Sequence, residues 1–272
     1  MSLSIQYPTV KLLGVDLNAL RMSDVLDVCR EHIAKRHRLT IGIVNVAKII
    51  NARKDPNLRA ALDEADIVLA DGAPLIWLSR MVDQPLPERI AGIDIMFELL
   101  KEANCKHYSI YFLGAKSEVV QEVVKIIQKD YPGVCIAGHR DGYFNKQEEQ
   151  SVAKEIKNSH PDILFVAISS PKKENFLRRW RNFIDVPVCH GVGGSFDVFA
   201  GITKRAPLWM QKSALEWLYR LIQEPRRMWR RYLITNTTFL KLSFILVLQA
   251  KLSRLLHRFR LKSVPNVKES SK

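Results

Sequence analysis

Cysteine is scarce. The four residues Cys29, Cys105, Cys135 and Cys189 lie far apart, with no C-x-x-C pair among them. That argues against a cysteine zinc site and a disulfide framework, and suits a reducing cytoplasm. No D-x-D, H-x-x-x-H or Cys/His cluster occurs, so no motif for a divalent metal is present. Neither a Walker A sequence nor a G-x-G-x-x-G occurs, which removes the two commonest phosphate-loop signatures. The first residues carry no basic region followed by a long apolar one, so no signal peptide is expected. No sequence repeat is visible. Acidic residues are also scarce in one region: residues 204–272 hold 3 Asp/Glu against 16 Lys/Arg, a net of +13. The whole chain carries +14, so residues 1–203 are nearly neutral. A neutral body with a basic tail implies an anionic partner: phospholipid, a phosphorylated substrate or nucleic acid.

What is present suits a folded protein. The 272 residues are 47% hydrophobic and 26% charged, enough to bury one large core or a core plus an appendage. Short apolar runs near residues 10–17, 40–45, 67–70, 108–113, 134–137, 162–168 and 186–189 read as strands. Helical patterns follow most of them, and Met22 to Lys35 reads as a helix with Ser23 as its N-cap. Strands alternating with helices predict a mostly parallel, Rossmann-like α/β sheet covered by helices on both faces. After Pro207 the pattern is helical only. The expected division is an α/β catalytic core at 1–204, a basic helical appendage at 205–262 and a disordered tail at 263–272.

The most apolar stretch, residues 233–250, is 18 residues long and contains Asn236, Lys241 and Gln249. A spanning helix needs about 20 mostly apolar residues. The segment therefore reads as a membrane-surface helix, with Leu233, Leu240, Phe244, Leu248, Leu252, Leu255 and Phe259 on one side. Lys241, Lys251, Arg254 and Arg258 would lie near the headgroups. The plainer alternative is that this stripe packs on the body or on a second subunit.

The chemistry is expected at the carboxyl ends of the strands. Asp71 follows the run Ile67–Ala70 and precedes Gly72 and a helix opened by Pro74. Eighteen residues on, Arg89 sits in a proline-rich stretch. Three further loops follow strands. Gly114-Ala115-Lys116-Ser117 and Ser169-Ser170-Pro171-Lys172-Lys173-Glu174 each open a helix whose amides can face a phosphate. Gly191-Val192-Gly193-Gly194, with Asp197 beyond it, lets backbone approach a ligand closely. Each loop also has a plain reading as a turn or a strand–helix joint. Asp63-Glu64-Ala65-Asp66 reads as a helix end and a strand start, and the lone His139 and His190 as structural.

Taken together, the segments VNVAKIINARKDPNLRAALDEADIVLADGAP, PLPERIAGID, GHRDGYF, SSPKKENF, GVGGSFDVFAGITKRAP and WLYRLIQEPRR resemble the WecG/TagA/CpsF family of bacterial glycosyltransferases. The resemblance covers residues 11–231. It implies a metal-independent, inverting transfer from a UDP-sugar to a polyprenyl-diphosphate-linked sugar at the cytoplasmic membrane face, without a cofactor. It also implies surface or exopolysaccharide synthesis, and the basic, apolar-striped tail adds the expectation of a peripheral enzyme on anionic inner-membrane lipid. By the same resemblance Asp71 is the catalytic base, Asn45 binds substrate and Arg89 acts at the reaction centre. Arg220, Arg227 and Arg230 are cations supplied by the appendage. Gly114, Lys116, Lys173, Gly193, Gly194 and Asp197 are the remaining substrate-binding candidates. Two positions depart from the family pattern: Ile43, where Thr is common, and Lys173, where Gln is common. Both bear on the donor sugar. Without a metal motif, the charge growing on departing UDP calls for arginines and helix N-termini. A nucleotide-sugar enzyme on a soluble substrate, and a nucleic-acid-binding protein using the tail, stay open as alternatives. The tail's aromatics follow helical spacing rather than stacking platforms, so no nucleic-acid partner is expected. A homo-oligomer is left open.

Overall fold

The computed structural model describes residues 7–213 and 215–262. Side chains are described throughout except at Lys212, Arg227, Arg231 and residues 255–262. The expected tail at 263–272 lies outside the described residues.

The chain opens with a hairpin of β1 (Thr9–Leu12) and β2 (Val15–Asn18), then α1 (Met22–Lys35). The N-cap of α1 is Arg21, not Ser23. Asp24 in the first turn accepts a hydrogen bond from the Arg21 N–H at 2.8 Å, which makes Arg21 the cap of a helix whose bounds are the expected ones. Next come β3 (Leu39–Val44), α2 (Val46–Ala52), α3 (Pro56–Asp63), β4 (Ile67–Ala70) and α4 (Ala73–Met81). They are followed by α5 (Gly92–Lys106), β5 (Ser109–Gly114), α6 (Ser117–Asp130), β6 (Cys135–Arg140) and α7 (Glu149–Asn158). The core closes with β7 (Ile163–Ala167), α8 (Lys172–Ile184), β8 (Val188–His190) and α9 (Ser195–Phe199).

Six strands form one sheet in the order β4-β3-β8-β7-β5-β6, every neighbour parallel. Side-chain alternation divides the core. In β7, Ile163, Phe165 and Ala167 join α1, α5 and α6 on one face, while Leu164 and Val166 join α7 and α8 on the other. The β4 edge is covered rather than left open: Asn18 in the hairpin accepts a hydrogen bond from the Val68 N–H at 2.7 Å. Strands β5 and β7 are neighbours whose chains leave in opposite directions, to β6 and to β8. This is the kind of crevice where open α/β sheets bind ligands.

Three helices follow: α10 (Leu208–Lys212), α11 (Glu216–Gln223) and the 38-residue α12 (Pro225–Lys262). Over Met228–Arg254, α12 is long and apolar enough to cross a membrane by length and composition. It nevertheless packs on the core. Phe239 is buried with α2 and α4 residues, and Leu242, Leu246 and Val247 lie against the same cluster. Of the apolar positions singled out above, Leu233, Leu240, Phe244, Leu248 and Leu252 fall on another side and are exposed, while Leu255 and Phe259, like Arg258, lie outside the described side chains. The helix therefore carries two apolar stripes, one docked and one open. Arg254 is a correction. Its guanidinium is 2.8 Å from Asp83 and donates to the Met81 carbonyl at 3.2 Å, so it is tied to the core.

Candidate active site

Parallel register sets two functional side chains side by side. Val44 pairs with Ala70, so the next residues, Asn45 and Asp71, emerge together from the carboxyl ends of β3 and β4. The Asp71 N–H donates to the Val44 carbonyl at 2.8 Å, which fixes that juxtaposition. Asn45 is the N-cap of α2, its side-chain oxygen accepting from the Lys48 N–H at 3.0 Å. Its amide NH2 is the part left for a ligand. Gly72 has φ +122°, a conformation open to glycine, and lets the chain turn at once from Asp71 into α4.

Arg89 reaches this point because its loop is pinned at three places. Leu86 is buried, and its N–H donates to the buried Ser79 hydroxyl at 3.0 Å. Glu88 accepts from the Met22 N–H at 2.6 Å. The Ile90 N–H donates to the Ala70 carbonyl at 3.0 Å, one residue before Asp71. The Arg89 guanidinium then lies 4.0 Å from the Asp71 carboxyl, 3.6 Å from Asp94 and 3.0 Å from Glu216. Asp94, in the first turn of α5, is held at 2.6 Å by Arg205. Glu216, at the start of α11, also meets Arg220 at 3.5 Å. Three carboxylates and three guanidiniums thus interleave where core and appendage meet.

The Asp71 carboxyl is pushed up to about 6. Burial is the main cause; Glu216 and Asp94 add to it, while Arg89 and Arg220 oppose it. Its side chain keeps 29% exposure, which is the opening toward the cleft. A carboxylate poised near neutrality and partly open to a cleft suits a general base.

A second charged group underlies the glycine loop. Lys48 is 2.8 Å from Glu174 and donates to the Ile43 carbonyl at 2.5 Å, and Lys173 donates to the Gly191 carbonyl at 3.2 Å. All three side chains are largely buried. Burial, reinforced by the Lys48 charge, pulls the Lys173 ammonium down to about 8. Burial raises the Glu174 carboxyl, but the two lysines outweigh it and leave it below the usual range. A Cβ at Gly193, where φ is +58°, would meet the Lys173 ammonium at 3.3 Å. Lys173 therefore sits beneath this loop and supports it. Gly194 and Asp197 follow at the start of α9.

At the β5–β7 crevice the contacts are backbone on backbone. A Cβ at Gly114 would lie 2.5 Å from Ala167 backbone atoms, so glycine is required there by packing. The Ala115 N–H is spent on the Ala167 carbonyl at 2.9 Å, and the Gly142 N–H on the Ala115 carbonyl at 2.9 Å. Exposed Lys116 remains as the N-cap residue of α6.

Of the sequence candidates, Asp71, Asn45, Arg89 and Arg220 are brought together. Lys173 with Gly193, and Gly114 with Lys116, line two other strand ends on the same sheet edge. Arg230 is exposed on α12 and makes no described contact with the Asp71 cluster. The Arg227 side chain lies outside the described residues. His190 is wholly buried, bonded to the Gly92 carbonyl at 2.9 Å, and is structural; burial lowers its imidazole to about 4. Asp94, Arg205, Glu216, Lys48 and Glu174 were not singled out from sequence. Their signal was faint: Asp94 and Arg205 lie inside the quoted motifs, and Glu216 lies immediately before one. Among the described residues no group of three or more His, Cys, Asp or Glu is arranged for a metal ion.

A partly open carboxylate at a strand end, with arginines from two parts of the chain around it, is an arrangement that suits group transfer from an anionic substrate. Residues 10–255 match the glycosyl transferase WecG/TagA/CpsF family, and the chain belongs to it. Three relatives carry the name N-acetylglucosaminyldiphosphoundecaprenol N-acetyl-beta-D-mannosaminyltransferase. That of Bacillus spizizenii is 42% identical over 67% of this chain and 70% of its own length. That of Bacillus subtilis is 40% identical over 80% and 84%. That of Staphylococcus aureus strain MW2 is 34% identical over 81% and 87%. The protein is a glycosyltransferase.

Proposed function

We propose that the enzyme transfers a sugar, with inversion and without a metal ion, from a UDP-sugar to a sugar on a polyprenyl diphosphate. The observation that carries this reading is Asp71, raised to about 6 by burial and faced by Arg89 at the end of β4. The acceptor hydroxyl oxygen attacks C1 of the donor sugar, and its proton passes to Asp71. The C1–O bond to the diphosphate breaks, and UDP leaves with the bonding electrons. A single displacement inverts the anomeric centre. Arg89, Arg205 and Arg220 supply positive charge as the diphosphate departs. Arg227 and Arg230 are further candidates from the appendage. The relatives' names make N-acetylmannosamine the first donor sugar to try and N-acetylglucosaminyl-diphosphoundecaprenol the first acceptor. Asn45, Lys173 and the loops at Gly114, Lys116, Gly193, Gly194 and Asp197 are the proposed walls of the sugar-nucleotide site.

The same reading puts the enzyme on the cytoplasmic face of the membrane. Supporting it are the open stripe of α12, with Trp77 and Met81 exposed on neighbouring α4. Lys241 and Lys251 are exposed on α12 as well. Apolar side chains among basic ones suit an anionic lipid surface. A helix docked along its other stripe would lie on the membrane rather than span it.

The test is transfer from UDP-N-acetylmannosamine to a short-chain polyprenyl-diphosphate N-acetylglucosamine. Asp71→Asn should abolish product while UDP still binds, and EDTA should leave the wild-type rate unchanged. Full restoration by Mg²⁺ or Mn²⁺ after an EDTA loss would overturn the metal-independent step.

A further inference from the structure

We propose that Glu216 is a resident counter-ion that occupies the diphosphate position, so that substrate diphosphate enters in exchange for it. This rests on the glycosyl-transfer reading above. The nearest anion to Arg89 is not the base. Glu216 stands at 3.0 Å and Asp71 at 4.0 Å. One Glu216 oxygen meets Arg89 from the core and the other meets Arg220 from the appendage, at 3.5 Å. One acidic group spanning two guanidiniums is how a diphosphate is clamped. The remaining guanidinium of the cluster, Arg205, is taken by Asp94.

The two ends of this link differ in firmness. The Arg89 loop is held by backbone hydrogen bonds to Ala70 and Ser79. Helix α11, which carries Glu216, has no buried residue. Its ties include an edge contact of Trp217 on Tyr232 of α12 and a hydrogen bond from Gln223 to the Lys204 carbonyl at 3.1 Å, so withdrawing Glu216 disturbs less buried structure than withdrawing Arg89. A diphosphate arriving with Glu216 still seated would face a like charge beside its own guanidiniums, which disfavours binding strongly.

The diphosphate can belong to the sugar nucleotide or to the lipid-linked acceptor, and the test separates them. Titration calorimetry with UDP and with farnesyl diphosphate compares full-length wild type, Glu216→Gln and Glu216→Asp, with melting temperatures recorded alongside. The expected result is on the order of tenfold tighter binding of one ligand by the Gln variant, with the Asp variant near wild type. The ligand that gains identifies the source. Equal or weaker binding of both by the Gln variant would make Glu216 a structural latch and overturn the exchange. A gain shared by the Asp variant would make side-chain length the cause and also overturn it. If UDP binds but neither UDP nor farnesyl diphosphate distinguishes the three proteins, the exchange is removed and glycosyl transfer is left standing. Failure of both ligands to bind any of the proteins removes both.

Discussion

The β4–Arg89 region and the appendage α10–α12 meet at one cluster of charges but are held by different means. Asp71 and Arg89 are set by main-chain hydrogen bonds, Asp71 to Val44 and Ile90 to Ala70, at the end of β4, whose residues are all buried. At that point the appendage meets the Arg89 loop through a side-chain ion pair, Glu216 to Arg89, with Arg220 joined to Glu216 within α11. Partly exposed pairs contribute roughly 0–1 kcal/mol each. The base is therefore preorganised by the fold, whereas the appendage's charges are attached weakly enough to respond to a ligand. Positioning that must not vary is built from backbone, and positioning that can change is built from salt bridges.

The largest expected effect lies on the rigid side. Asp71→Asn should lower transfer by on the order of a hundredfold or more, with UDP affinity retained by calorimetry. In the wild type, kcat/KM should fall about tenfold per pH unit below pH ~6, because the base protonates there. The stability sign is the opposite of the catalytic one. A carboxyl raised from 3.8 to about 6 favours the folded state when protonated. That contribution is fully present below pH 3.8 and lost as pH rises through about 6. The Asn variant should then melt higher than wild type at pH 8, by on the order of 1–3 kcal/mol, with the gap closing near pH 4. Near-normal turnover in the variant would remove Asp71 from the mechanism.

Next in size is Arg89→Gln, which cuts the link between the two regions. Loss of one charge at the departing diphosphate should lower kcat/KM by roughly tenfold to a hundredfold. Arg89 also holds the Asp71 pKa down, so the acid limb of the pH profile should move to higher pH. A drop in rate with an unmoved limb would mean that Arg89 does not act on the base.

The rigid half was the legible half. Asn45 and Asp71 were found because a polar residue ending a buried apolar run marks a strand's carboxyl end, a local signal. Arg89 stood out only as a residue in a proline-rich stretch, and its role came from the resemblance. The reason it reaches Asp71, a hydrogen bond from Ile90 back to Ala70, is tertiary. Glu216 pairs with a residue 127 positions away, and an acidic residue opening an amphipathic helix reads as solvated until its partner is known. Lys48 and Glu174 were hidden for the same reason, 126 positions apart and both buried. Gly114 and Lys116 stood out as a phosphate-loop pattern, but the Gly114 backbone is packed too tightly on Ala167 to take a side chain, a requirement the bare sequence also allows. The two stripes of α12 were beyond a periodicity argument. A long helix with apolar residues on more than one side does not say which side is docked.

The smallest effects separate those two stripes. Phe239 is 6% exposed, packed with α2 and α4, and Phe244 is 71% exposed on another side of the same helix. Phe239→Ala leaves a cavity between α12 and the core and should cost about 3 kcal/mol, read as a lower melting temperature. Phe244→Ala removes a ring that is mostly in solvent and should stay within about 0.5 kcal/mol of wild type. If the open stripe meets lipid, the second variant should nonetheless release more protein from anionic vesicles in co-sedimentation, and added salt should deepen the loss by screening Lys241 and Lys251. Equal vesicle binding by both variants and wild type would mean that the open stripe does not contact the bilayer. A large drop in melting temperature for Phe244→Ala would mean that this face is covered by protein instead, a second copy being the first to test by light scattering. Either outcome would leave the Asp71 site untouched, because the base is held by β3, β4 and the Arg89 loop rather than by α12.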